Sequence, residues 1–125
     1  MNNFEQDTIY EILSCPDSSL DSELDSRIFG LPLSLGESAS NTEEYEYAFN
    51  ILICLCSRKK AQVRANAVLG LAYLARTNGR LDKEIVLPIL KEVWAKNTSN
   101  RGNILCAIDD INHYLHWNIS VDKLS

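Results

Sequence analysis

ILICLCSRKKAQVRANAVLGLAYL, residues 51–74, holds two apolar runs joined by a short basic turn, with Val63-Arg64-Ala65 opening the second run. Within each run the apolar residues recur at helical rather than alternating spacing. A weaker copy follows 37 residues later, in 89–111. Arg64-Ala65-Asn66 recurs as Arg101-Gly102-Asn103, Val68 as Leu105, Leu71 as Ile108 and Leu74 as Ile111. A fixed period of this size in a helical sequence points to stacked helical hairpins. Such stacks are usually binding surfaces and seldom hold catalytic chemistry.

Working outward, the helical pattern extends along the whole chain. Asn3 and Gln6 resemble a capping box ahead of Phe4, Ile9, Ile12 and Leu13, which predicts a helix over 3–14 that stops before Pro16. Leu20, Leu24, Ile28 and Phe29 predict a short acidic helix over 20–29, ended by Gly30-Leu31-Pro32. Residues 30–42 are rich in Gly, Ser and Pro and read as a loop. Asn41 and Glu44 form the next capping box, before a helix over 43–57 with Tyr45, Phe49, Leu52, Ile53 and Cys56 facing a core. Helices follow over 61–77, ended by Asn78-Gly79, over 82–96, kinked by Pro88, and over 100–117. Ile85, Ile89, Val93 and Trp94 mark the inner side of the third of these, and Ile104, Leu105, Ile108, Ile111 and Leu115 that of the last. The tail from Asn118 should be loosely held. No strand signal competes, so the fold class is all-α.

Composition sets further bounds. The 125 residues suffice for one domain with one core, and 46 % hydrophobic with 23 % charged residues is ordinary for a globular chain. No secretory signal is visible at the N-terminus, and no apolar run reaches the ~18 residues of a membrane span. The expected compartment is the cytoplasm. Cys54, Cys56 and Cys106 lie in apolar helical runs and read as core packing, while Cys15 precedes Pro16 at a helix end. The net charge of −5 hides a split. Residues 1–57 hold eleven carboxylates against Arg27 alone, whereas 58–125 hold eleven cations against six carboxylates. Charge separation of this kind bears on association and orientation.

Three constellations could carry function. Asp109, His113 and His116 share one helical face, and His with carboxylate suits zinc or iron. Nothing completes such a site, so an i, i+4 pair between Asp109 and His113 is the better reading, with no metal and no cofactor. No G-x-S-x-G elbow or Gly-rich phosphate loop is present, which argues against an enzyme. Arg58, Lys59, Lys60 and Arg64, with Arg101 one period on, could hold phosphate at a helix start. The acidic set is the stronger candidate. Asp21, Glu23 and Asp25, then Glu43, Glu44 and Glu46 interleaved with Tyr45 and Tyr47, offer carboxylates and aromatic anchors to a basic protein.

The residues 62–71, Gln62-Val63-Arg64-Ala65-Asn66-Ala67 and then Leu69-Gly70-Leu71, resemble the second helix of a HEAT repeat. Val86-Leu87-Pro88-Ile89-Leu90 is similar to the kinked first helix of the following repeat. The resemblance covers 43–117, about 60 % of the chain, as two repeats. The second departs from the pattern, with Asn100-Arg101 in place of Val-Arg and Asp109-Asp110 in place of Ala72-Tyr73. It implies a short HEAT-like α-solenoid of five to six helices in a single domain, 1–125, with 1–42 as an N-terminal helical cap and loop and 118–125 as a tail. Free-standing stacks of this size and acidity resemble the immunity proteins of bacterial toxin systems, including contact-dependent inhibition. The implied function is non-catalytic: a monomer that binds a basic toxin domain, such as a nuclease, and occludes its active site. The alternatives are a HEAT-type scaffold or adaptor and, less favoured, a nucleic-acid binder using its basic ridge.

Overall fold

A computed structural model of the protein describes residues 42–124, and all the regular structure among them is helical. The helices are α1 (Thr42–Leu55), α2 (Ala61–Asn78), α3 (Lys83–Lys96) and α4 (Arg101–Leu115), followed by a 3-10 turn at Val121–Lys123. The helices expected over 3–14 and 20–29, the Asn41 cap and the loop expected over 30–42 lie outside the described residues, except for Thr42, which belongs to α1. Among the described residues no helix is long and apolar enough to cross a membrane.

Each boundary has a local cause. Gly79 stops α2 at φ 73, a conformation that glycine adopts without a Cβ penalty, and its N–H reaches Ala75 O at 2.7 Å. Asp82 caps α3 by accepting from the Glu84 N–H at 3.1 Å. Pro88 sits inside α3 on the solvent side, where water can satisfy the carbonyl it leaves unpaired. The last helix ends two residues earlier than its apolar pattern suggests, because His116 turns left-handed at φ 57. On the surface of α3, Lys96 donates to Glu92 at 2.8 Å and holds that carboxyl below its ordinary range.

The core is organised around α2, which touches α1, α3 and α4 and lies most extensively against α4. Helix α2 is buried on nearly every side: Val63, Ala65, Ala67, Val68, Gly70, Leu71, Ala72, Leu74 and Ala75 are all enclosed. Small side chains at five of these positions let neighbouring helices approach from several directions. Leu52 and Leu55 of α1, Leu90 of α3, and Ile104, Ile108 and Ile111 of α4 complete the centre. Each such side chain contributes about 1.5–3 kcal/mol by leaving water.

Four residues expected inside are not there. Ile85 is 44 % and Leu105 38 % exposed, and Cys106 is also exposed. Cys54 is exposed as well, so of these three cysteines only Cys56 serves the core. The tail is a correction in the opposite sense. It folds back on the body: Asn112 Nδ2 donates to Ile119 O at 3.0 Å, Ile119 N–H donates to Asn112 Oδ1 at 2.7 Å, and Leu124 is buried.

Candidate functional site

Within the basic ridge one residue, Arg64, turns inward. Arg64, only 7 % exposed, donates Nε to Asn97 Oδ1 at 2.9 Å and Nη1 to the carbonyls of Arg58 and Lys59 at 2.9 and 2.6 Å. A cation beside carbonyls just beyond the end of α1 is favourably placed. Asn97, fully buried, uses Nδ2 on the carbonyls of Ala61 and Ser99. Its own carbonyl accepts from Arg101 Nε at 2.7 Å, while Arg101 Nη2 reaches Trp94 O at 3.3 Å. The Arg101 guanidinium also stacks over the Trp94 ring at 4.3 Å. The two arginines one period apart thus perform the same task, gathering carbonyls from the chain just before their own helix. Asn103 Nδ2 donates to Asn66 Oδ1 at 2.8 Å, joining two positions 37 residues apart.

As a phosphate site this set is therefore incomplete. Arg64 is withdrawn from solvent, Arg58 and Lys60 are half-buried, and Arg101 is committed to backbone and indole; Lys59 is exposed. Arg64 offers no charge to a phosphate, because the carbonyls of Arg58 and Lys59 beneath it need a donor. Nor does an Asp109–His113 pair form. Both side chains are exposed, and the His113 ring meets Tyr114 edge-on at 4.7 Å. Among the described residues, no three His, Cys, Asp or Glu side chains come together as a metal site would require.

The acidic set is divided differently. Asp21, Glu23 and Asp25 lie outside the described residues, as does the side chain of Glu43. Glu44 is half-buried, Glu46 is exposed, and Tyr47 is half-buried against the core. Tyr45 is not an exposed anchor: it is 5 % exposed, its ring stacks on Phe49 at 5.9 Å, and its hydroxyl donates to Arg80 O at 3.2 Å. The i, i+4 spacing from Tyr45 to Phe49 puts both on the inner face of α1, despite the three glutamates around them.

Tyr45 and Glu46 nonetheless meet at one feature, a cleft of about 410 Å³ between α1 and the start of α3. Phe49, Arg80, Asp82 and the exposed Ile85 also line it. Arg80 lies over the Tyr45 ring at 4.2 Å. Burial raises the Tyr45 hydroxyl pKa, Arg80 opposes the rise, and Glu46 and Asp82 reinforce it. The cleft therefore offers an apolar rim and two carboxylates to an incoming Lys or Arg side chain, while Arg80 already covers the Tyr45 ring. Arg80 and Asn97 escaped the sequence reading, since each follows a helix end and looks like ordinary loop polarity, while Asp82 was read only as the first residue of a helix. No protein-family model matches the chain, and comparison with characterised proteins and with solved structures finds no match either.

Proposed function

We propose that this chain is a non-catalytic protein-binding module: a short HEAT-type α-solenoid that serves in the cytoplasm as an immunity protein. It binds a cognate bacterial toxin, a basic nuclease domain being the best fit, and occludes its active site. The observation that carries this reading is the division of charge. The arginine at the head of α2 is locked into packing, whereas Glu46 and Asp82 are exposed at the rim of a cleft beside Ile85. Long-range steering by the acidic N-terminal half would speed capture of a cationic partner at low salt. The Asn66–Asn103 bond across one 37-residue period supports the stacked-repeat architecture. An adaptor that uses a continuous apolar face has less support. Leu105 and Tyr114, both exposed on α4, are nine residues apart and point about half a turn away from each other.

The test is a low-salt pull-down from the native host, with bound protein and bound nucleic acid both identified. One basic protein recovered at one-to-one stoichiometry, and inhibited by the chain, supports the proposal. Binding should then weaken at least about tenfold in Glu46→Lys/Asp82→Asn, in which Asn keeps the α3 cap, in keeping with the loss of close interfacial charge pairs. Recovery of nucleic acid without such a protein overturns it.

A further inference from the structure

A second cleft, sharing no lining residue with the first, lies between α3 and the segment that follows α4. Lys83, Leu87 and Lys91 are spaced by four and share one face of α3. Facing them, the chain leaves α4 through two left-handed residues, His116 at φ 57 and Asn118 at φ 56. Non-glycine residues rarely adopt this conformation, and here two of them nearly adjoin. The Asn112 side chain then fixes both backbone groups of Ile119, so the turn is held rather than left loose.

The product is a cleft of about 140 Å³ with Leu87, Trp117, Ile119 and Leu124 among its walls and Lys83, Lys91 and Lys123 at its mouth. It opens along α3 into a shallower depression of about 590 Å³ beside Pro88, where Glu84 is the one acidic lining residue. All three lysines are exposed, and none forms an ion pair with a described residue. Lys83 Nζ stands 5.8 Å from the centre of the Trp117 ring. Three unpaired cations around a small apolar cleft repel one another and favour a ligand that brings carboxylates. The apolar walls add a second requirement, a large apolar group between those carboxylates.

We propose that this cleft binds an acidic peptide segment of a protein partner. The segment seats one large apolar side chain against Leu87 and Trp117 while its flanking carboxylates meet Lys83, Lys91 and Lys123. A single-stranded nucleic acid fits less well. Base stacking needs an open aromatic face, and Trp117 is half-buried with an ammonium group near its ring. Lysines, as flexible point charges, suit carboxylates at variable spacing. The proposal stands apart from the immunity reading, since it concerns a different surface and ligands of opposite charge.

Titration of the isotope-labelled full chain with a short fluorescent peptide of glutamates around a central phenylalanine tests it. Amide shifts should concentrate at Leu87, Trp117 and Ile119. Affinity should fall about tenfold in Lys83→Glu/Lys91→Glu/Lys123→Glu, whose exposed sites leave folding intact. It should also fall when the phenylalanine is replaced by glutamate. Equal affinity of the triple variant, the absence of shifts at the cleft, or tighter binding of an equally charged single-stranded oligonucleotide would each overturn the proposal.

Discussion

Arg64-Ala65-Asn66 at the head of α2 and Arg101-Gly102-Asn103 at the head of α4 are near copies in sequence, and their surroundings differ. Arg64 is buried, while Arg101 makes equivalent bonds to backbone carbonyls from an exposed position. Four residues further on, Val68 is fully enclosed and its counterpart Leu105 is 38 % exposed. Ala72 is enclosed, whereas Asp109, one period later, is exposed. The difference lies in neighbours: α2 has helices around it, and the corresponding side of α4 faces solvent. The departures of the second copy from the first are thus what an open face permits, and burial, more than motif, sets what each residue is worth.

The strongest way to break the comparison is at the arginines. Arg64→Ala leaves Asn97 Oδ1 and two carbonyls without their donor in a place water cannot readily enter. The expected loss is about 3 kcal/mol or more of unfolding free energy. Arg101→Ala should lose only about 1 kcal/mol, because water replaces an exposed guanidinium. Arg64→Lys should fail to rescue, as an ammonium cannot span the same three acceptors in one plane. Denaturant melts of the three variants check this, and equal losses at the two sites would show that burial is not the deciding factor.

The apolar pair comes next. Val68→Ala removes enclosed methyl groups and should cost about 2 kcal/mol including the cavity. Leu105→Ala should stay within about 0.5 kcal/mol, as for other surface changes. If Leu105→Ala proved as costly as Val68→Ala, α4 would have to be covered in solution. A smaller effect sharpens the link between the two regions. In a double-mutant cycle of Asn66→Ala and Asn103→Ala, the Asn103–Asn66 hydrogen bond should appear as a coupling of about 1 kcal/mol. Additive losses would mean that the two helix starts do not depend on each other.

Much of this was legible in the sequence because it depends on local chemistry. Helical spacing marked α1 to α4 within a residue or two, Gly79 marked the end of α2, and the 37-residue period aligned Asn66 with Asn103, though not the bond between them. What escaped depends on neighbours or on backbone. An apolar pattern says that Leu105, Ile85 and Cys106 could be buried, but not whether anything covers them. Tyr45, set among Glu43, Glu44 and Glu46, has the composition of a surface and the register of a core, so its core reading holds and its anchor reading fails. Asn97 has the residue type of a loop, yet it satisfies Arg64, Ala61 and Ser99 at once. The tail lacks any periodicity; what holds it is the Asn112 clasp and two left-handed residues. The clefts inherit these gaps, since Arg80, Asp82 and Trp117 acquire meaning only from what stands opposite them.

The gentlest contrast is between cysteines, and it appears only in alkaline solution. Burial, with a smaller contribution from neighbouring Cys54, pushes the Cys56 thiol up to about 12, whereas Cys54 and Cys106 are exposed. With Cys15 replaced by serine, a thiol reagent at neutral pH should label Cys54 and Cys106 readily, and Cys56 only once the chain unfolds. The sign of the stability effect follows from the same shift. Below the ordinary thiol pKa both states keep the proton and the Cys56 contribution is complete. Between about 9 and about 12 the unfolded chain loses its thiol proton while the folded chain retains it, so stability falls as pH rises. Cys56→Ala lowers stability at every pH by leaving a small void, but it should flatten this alkaline decline relative to the parent. Tyrosine and lysine titrations are shared by both proteins and cancel in the comparison. Identical slopes for parent and Cys56→Ala across that window, or rapid labelling of Cys56 in the folded protein, would mean that the end of α1 is open to water.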